Sequence, residues 1–159
     1  MSRAGFRSIP HSIEDDEIAI RAILSPYHVK RGKLLRGAFE APPGSDEVSV
    51  SRRWYVAPWL SKAYAKHRVQ RPRASPPKVY KGLAFVSVEI VRRFGSAVID
   101  SRSEYLGHAD IKHGIVRVKG VALAPDLRKV LEERLERLAQ AARYTEDREP
   151  SRIQWRGGD

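Results

Sequence analysis

The densest group of polar side chains that could do chemistry is the His-Ala-Asp-Ile segment at positions 108–111. On a β-strand, His108 and Asp110 would share one face, while the two residues between and after them would point into the core. A histidine beside an aspartate can bind a divalent metal, or the aspartate can orient the histidine as a general base. His28 is the best candidate for a further histidine. The alternative is a strand-edge pair whose side chains hydrogen-bond to each other or to a loop.

The strongest signal for a partner is a basic window from Val48 to Val88, which contains nine lysine or arginine residues and no acidic residue. The chain has a formal net charge of +11, so this window holds most of the excess. Uncompensated positive charge attracts polyanions, and the aromatic residues of the same window offer surfaces on which bases stack. We therefore expect RNA or DNA to bind here, mainly through phosphate contacts. The expected contact residues are Arg52, Arg53, Trp54, Tyr55, Lys62, Lys66, Arg68, Arg71 and Arg73.

Other partners fit the same charge. An acidic protein could dock on the basic face, or the C-terminal helix could pair with a partner, and the protein would then be a non-catalytic adaptor. The charge could also serve solubility or assembly within a larger complex. The sequence contains no helix-turn-helix, zinc-finger, RNP or KH motif, so no base specificity is predicted.

The composition narrows the possible chemistry. The chain has no cysteine, which removes disulfides, thiolate nucleophiles and cysteine metal sites. The sequence has no Walker A loop, GxSxG elbow, HExxH helix or GxGxxG fingerprint, and it identifies no cofactor. No secretory leader and no apolar stretch of membrane-spanning length is evident. We therefore expect a cytoplasmic protein that makes no membrane contact.

An N-terminal helix is predicted to begin at Ser12 and to end at Pro26. Ser12 followed by Asp15 resembles a capping box, and the run of acidic residues that follows Ile13 would fill the first turn. Isoleucine and leucine residues further along would form the apolar stripe of this helix.

The next elements are strands and a basic helix. Short strands are predicted over 34–40 and 48–51, the second from its strict alternation of valine and serine. Pro58 is placed to open a middle helix, because proline is favoured at the first helical position. The segment 68–78, rich in arginine and proline, is predicted to be an exposed loop.

The second half repeats this mixture. Strands are predicted at 83–88 and 96–100, with a short helix between them, and a β-hairpin is predicted from 105–111 and 114–121. Pro125 opens the longest helix, which carries an apolar stripe on one side.

These elements together predict the fold class and the organisation of the chain. We expect an α+β fold with a small central mixed or antiparallel sheet, an N-terminal helix, a middle basic helix and a long C-terminal helix. The expected organisation is an N-terminal arm at 1–11, a single domain at 12–144 and a polar C-terminal tail at 145–159.

Several short segments carry a resemblance to a known family. They are Tyr27-His28-Val29, Gly32-Lys33-Leu34, Ala38-Phe39, Ser49-Val50-Ser51-Arg52, Gly82-Leu83-Ala84 and Gly107-His108-Ala109-Asp110-Ile111. This set resembles a small bacterial family from mobile or defence-related gene neighbourhoods, over about residues 23–115. The resemblance implies no established activity. It suggests that the Ser-Val-Ser-Arg and His-Ala-Asp-Ile segments recur in that family, in keeping with a subunit of a nucleoprotein or defence assembly.

A second resemblance is to ADP-ribosyltransferase-like domains. The counterparts would be His28 on an early strand, Ser49 and Ser51 in a Ser-x-Ser strand, and Glu104 later in the chain. The chain has no E-x-E or Q-x-E motif. The resemblance implies a toxin-like enzyme, so an enzyme built around His108, Asp110 and His28 would be either a metal-assisted nuclease or an ADP-ribosyltransferase-like toxin.

Overall fold

The computed structural model describes residues 8–69 and 77–158. Its strands within these ranges are β1 (Ile18–Ser25), β2 (Val29–Lys30), β3 (Lys33–Leu34), β4 (Glu47–Arg52), β5 (Val79–Ser87), β6 (Ala97–Asp100), β7 (His108–Lys112) and β8 (Arg143–Glu146). Its helices are α1 (Pro58–Val69), α2 (Val88–Arg93) and α3 (Pro125–Ala141), and a 3₁₀ turn covers Arg36–Phe39.

Six strands form one antiparallel sheet in the order β6-β7-β4-β1-β5-β8, and β2 and β3 form a separate small hairpin. The protein therefore has an α+β fold, as the sequence predicts. The hairpin turns at Arg31 and Gly32, whose φ angles of 51° and 74° suit a tight two-residue turn. Helices α1 and α3 begin at Pro58 and Pro125, where the sequence places them.

The sheet has a core on each face. Leu131, Leu135 and Leu138 of α3 pack with α2 and the 3₁₀ turn against valines and alanines of the central strands. On the other face, Ala65 of α1 and Tyr80 of β5 belong to a smaller cluster. The central strand β1 is therefore covered on both sides, which favours a run of apolar residues over strict alternation.

The predicted N-terminal helix does not form. Glu14 and Glu17 make a turn, in which the Glu14 N–H donates to the Glu17 carboxylate at 2.8 Å, and β1 begins at Ile18. Three isoleucines in β1 favour a strand because β-branched side chains pack well on a pleated surface. Glu17 itself is buried, so the acidic run is not a solvated first helical turn.

Three other expectations are corrected. The strand predicted over 34–40 ends at Leu34 and continues as the 3₁₀ turn, and 114–121 forms no strand within the described chain, so β7 pairs with β4 and β6 instead. The boundary of the polar tail at 145 falls inside β8, which pairs with β5. Gly82 allows that pairing, because a Cβ there would collide with the carbonyl oxygen of Thr145.

The loop predicted over 68–78 is described in part. Arg68 and Val69 form the end of α1, and residues 70–76 lie outside the described residues. A search of the described helices finds none with the length and apolar character that a bilayer crossing requires.

Candidate functional site

The centre of the sheet contains a gap between β1 and β4. The two strands pair at Ala19–Arg52 and Ile20–Ser51, and beyond these pairs they separate. The gap opens into a cavity of about 540 Å³ that is bounded by both strands and by α1. A volume of this size is typical of sites for small ligands or for single units of a polymer.

Arg21 of β1 lines this cavity and is half-buried. Its Nε donates to the carbonyl oxygen of Ala38 at 2.8 Å, and its Nη1 donates to the carbonyl oxygen of Ser49 at 3.0 Å. No carboxylate of the described chain forms an ion pair with it. Burial and the nearby charge of Arg68 lower the pKa of Arg21 to about 10. The site therefore contains a positive charge that its own surroundings disfavour.

The charge of the cavity as a whole is also positive. Two glutamates line it, but each is paired with a cation from outside the lining. Glu40 pairs with Arg117 at 2.8 Å, and Glu47 pairs with Lys112 at 3.3 Å. Among the described residues, the cations that line the cavity are Arg21, Arg68 and Lys78, and of these Arg68 approaches Glu104 outside the lining at 3.4 Å.

One wall of the cavity consists of hydroxyl groups and aromatic rings. Ser51 Oγ and Tyr105 Oη share a hydrogen bond of 2.7 Å, and the Tyr105 ring stacks on Tyr64 with centroids 3.8 Å apart. Arg68 Nη1 donates to Ser49 Oγ at 2.8 Å at the rim. Burial raises the pKa of Tyr105, so its hydroxyl remains protonated at neutral pH. The wall therefore offers both donors and a stacking surface.

His108 lies behind this wall on β7, opposite Ser51, and Asp110 lies opposite Ser49. The His108 ring meets Tyr105 edge-on with centroids 4.8 Å apart, and its Nδ1 shares a hydrogen bond of 2.6 Å with Ser101 Oγ. Its Nε2 has no hydrogen-bond partner among the described residues. Burial lowers the pKa of His108. Neither His108 nor Asp110 is part of the described lining, and His108 reaches the cavity wall through its ring contact with Tyr105.

His28 is not brought to His108. Its Nδ1 accepts a hydrogen bond of 3.0 Å from the Leu24 N–H, and burial lowers its pKa to about 3. Ile20 and Ser51 share a row of the sheet with His108, and Leu24 lies four residues along β1, about 13 Å at 3.3 Å per residue. The described residues contain no group of three histidines and carboxylates that could hold a metal ion. The predicted catalytic set is therefore not assembled.

Two residues of the predicted nucleic-acid surface are buried. Arg52 is 2% exposed and pairs with Glu17 at 2.8 Å and with Asp100 at 2.9 Å. Lys62 is 1% exposed and pairs with Asp147 at 2.7 Å. Both cations are neutralised inside the protein, so the expectation that they contact phosphates is wrong.

The neighbours of Arg52 form a turn that leads to α1. Tyr55 is half-buried, and the Arg52 guanidinium lies over the Tyr55 ring, 4.7 Å from the ring centroid. Arg53 is half-buried, and its main-chain N–H donates to the Ile18 carbonyl at 2.9 Å. Trp54 is 52% exposed. None of these three residues lines the cavity in the part of the chain that the structure describes.

The remaining predicted contact residues lie on or after α1. Arg68 is exposed at the rim of the cavity, where it also approaches Glu104 at 3.4 Å. Lys66 Nζ donates to the Pro150 carbonyl at 2.8 Å, away from the rim. Arg71 and Arg73 lie outside the described residues.

The sequence interpretation missed Arg21 and the role of Tyr105. Arg21 is the one charged residue in the stretch Ile18–Leu24, and an isolated cation in such a stretch marks a buried or functional position once the stretch is read as a strand. The prediction of a helix over 12–26 left Arg21 without a role. Tyr105 carried no local signal, because its importance depends on contacts with β4 and α1.

No family model matches this chain, and neither a curated protein nor a solved structure shows similarity to it. The arrangement itself defines the class of site. It is a cationic cavity, walled by hydroxyl groups and stacked tyrosines, in the split centre of an antiparallel sheet.

Proposed function

We propose that this protein binds single-stranded nucleic acid and holds a phosphate in the cavity between β1 and β4. The observation that carries this proposal is Arg21, whose partners in the described chain are main-chain carbonyls. A half-buried positive charge without a counter-charge is disfavoured, and a phosphate would supply that counter-charge. The planar guanidinium also suits phosphate oxygens, because it can donate two parallel hydrogen bonds.

The rim of the cavity supports contacts to neighbouring phosphates. Arg68 and Lys78 are both exposed, and both line the opening. Lys78 Nζ lies 5.8 Å from the centre of the Tyr27 ring, and no carboxylate among the described residues pairs with it. If Arg21, Arg68 and Lys78 each contact one phosphate, affinity should fall about 20-fold between 50 and 200 mM salt.

The tyrosine wall supports recognition of a base beside the phosphate. Tyr64 lines the cavity and is half-buried, so part of its surface is open to a ligand. Aromatic side chains bind bases of any sequence because every base has a flat π-face. The combination of guanidinium groups and tyrosines favours nucleic acid over an acidic protein. A nucleic acid has phosphates for the guanidinium groups and bases for the tyrosines, whereas an acidic protein offers carboxylates without bases.

The shape of the site favours a single strand. A duplex presents its phosphates on a convex surface, whereas this cavity is concave and about 540 Å³ in volume. A flexible strand can place one nucleotide inside such a cavity and can keep its neighbours at the rim.

The test is fluorescence anisotropy with single-stranded DNA and RNA of about 12 nucleotides at low salt. Arg21→Met should weaken binding by about tenfold or more, the effect of losing 1.4 kcal/mol. Arg137→Met is the matched control, because it removes the same charge from an exposed position of α3 and should change affinity less than about twofold.

Arg68→Met is a second variant, and because it keeps Arg21 it tests the proposal even if Arg21→Met does not fold. It removes an exposed cation at the rim and should weaken binding while leaving the unfolding midpoint close to that of the wild type. Absence of binding by the wild-type protein at low salt would overturn the proposal. Equal losses in Arg68→Met and Arg137→Met would do the same.

A further inference from the structure

We infer that the cavity holds a terminal phosphate monoester, the group at the end of a strand or on a free nucleotide, in preference to an internal phosphodiester. This inference rests on the function proposed above and specifies the ligand of the same site. It follows from the contact of Arg21 with buried main chain, from the charge of the cavity and from the number of hydrogen-bond donors that it presents.

The cavity ends at the buried main chain. Arg21 Nε donates to the carbonyl of Ala38, and both Ala38 and the adjacent Phe39 are completely buried. The guanidinium therefore bridges the main chain of the 3₁₀ turn and that of β4. An internal phosphate is bonded to a nucleotide on each side, so the strand would have to enter this end of the cavity and leave it again. A terminal phosphate reaches the same depth from one side.

The positive charge of the cavity matches a monoester better than a diester. A phosphate monoester carries between −1.5 and −2 charges at pH 7 and has three strong acceptor oxygens, whereas an internal phosphodiester carries a single negative charge. Arg21 has five N–H groups and uses two of them on main-chain carbonyls. Its three other N–H groups remain for a ligand. Arg68 lines the same cavity and adds a second guanidinium.

Neutral donors complete the set. Ser49 Oγ accepts from Arg68, so its own hydroxyl proton is left to donate. Ser51 and Tyr105 share one hydrogen bond, which uses one of their two hydroxyl protons and leaves the other. All three hydroxyl-bearing residues line the cavity. Two guanidinium groups and two available hydroxyl protons suit a phosphate with three free oxygens.

The experiment compares strands that differ in their ends. Four strands of one sequence carry an internal fluorophore and have a 5′-phosphate, a 3′-phosphate, hydroxyls at both ends, or no ends because the strand is circular. We expect one of the phosphorylated strands to bind at least about tenfold more tightly than the hydroxyl-ended strand. The circular strand should bind no better than the hydroxyl-ended one.

Two further measurements link this preference to the monoester and to Arg21. A nucleoside monophosphate should compete with the phosphorylated strand, and its relative affinity distinguishes a strand end from a free nucleotide as the better ligand. The preference should shrink as the pH falls below about 6, because the monoester then loses its second charge. It should disappear in Arg21→Met and persist in Arg137→Met. Ser51→Ala should reduce it in a protein that keeps Arg21.

The outcomes separate this inference from the proposal on which it rests. Equal affinity for the phosphorylated, hydroxyl-ended and circular strands, all weakened by Arg21→Met, would overturn the inference and leave strand binding supported. A preference that survives in both Arg21→Met and Ser51→Ala would also overturn it. Absence of binding to every strand would overturn the proposed function itself.

Discussion

Arg52 and Glu17 form a two-point ion pair in the interior of the protein, with Nε–Oε1 at 2.8 Å and Nη2–Oε2 at 2.9 Å. The remaining guanidinium donors reach the Asp100 carboxylate and the carbonyls of Pro10 and Ser12. The five bonds account for all five N–H groups of an arginine side chain. Arg52 thus joins the segment before β1 to the ends of β4 and β6, which makes it a structural residue.

Loss of the Arg52 charge should destabilise the fold strongly. We expect Arg52→Met to lower the free energy of unfolding by about 3–5 kcal/mol, because Glu17 and Asp100 would remain buried without their cation. Arg93→Met is the control, since it removes an exposed pair with Glu89 and should cost at most about 0.5 kcal/mol. Urea unfolding measures both. Similar losses in the two variants would contradict the structural role of Arg52.

Lys62 has a comparable role at the C-terminal end of the described chain. Its Nζ donates to the Asp147 carboxylate at 2.7 Å and to the carbonyls of Glu149 and Gln154 at 2.8 and 2.6 Å. These three bonds use all of its ammonium protons. Tyr80 also donates to Asp147, at 3.0 Å. Lys62 therefore holds residues 147–154 against α1.

Removal of this ammonium group should release that segment. We expect Lys62→Met to increase the rate of tryptic cleavage at Arg148 and Arg152 by at least about tenfold under native conditions, because the buried Asp147 loses its counter-charge. Lys66→Met is the matched control, since Lys66 makes a single exposed bond to the same segment. If the two variants are cleaved equally fast, Lys62 does not hold the segment in place.

The buried histidine His28 predicts a dependence of stability on pH. Burial, with the nearby charges of Arg21 and Lys78, lowers its pKa from 6.5 to about 3. As the pH falls below 6.5, the unfolded chain takes up a proton that the folded protein does not. The stability contributed by this group is therefore complete above pH 6.5 and declines as the pH falls towards 3. The slope from one such histidine approaches about 1.4 kcal/mol per pH unit.

Replacement of His28 should reduce that slope. His28→Asn keeps an acceptor for the Leu24 N–H and should flatten the pH dependence of unfolding between about pH 6 and 4. A remaining slope is expected, because burial also lowers the pKa values of His108 and His113. His67→Asn, which replaces an exposed histidine of α1, is the control. The measurement is the urea midpoint of unfolding across this pH range. Equal slopes in the two variants would contradict the assignment of the pH dependence to His28.

Local sequence patterns predicted the elements whose signals lie within the elements themselves. Proline at the first helical position marked α1 and α3, and the alternation at 48–51 marked β4. The same reasoning failed at 12–26, where capping residues and an acidic run suited a helix start. Glu17 instead pairs with Arg52, which lies 35 residues further along the chain. A pattern of neighbouring residues contains no information about such a pair.

The candidate site was predicted less well than the fold. The sequence placed the excess charge between Val48 and Val88 and drew attention to Ser49, Ser51 and Arg68, which do lie at the cavity. It could not distinguish Arg68, at the rim, from Arg52, which is buried. It also grouped His28 with His108, although their positions in the sheet keep them apart.

The sequence by itself determined the α+β class, the two long helices and the amount of positive charge, because these depend on composition and on residues close together in the chain. The tertiary structure decided which charges are neutralised. Arg52 and Lys62 meet carboxylates from distant segments, whereas Arg21, in the split between β1 and β4, meets none in the described chain. Charge pairing depends on distances in space, and the packing of the sheet and helices sets those distances.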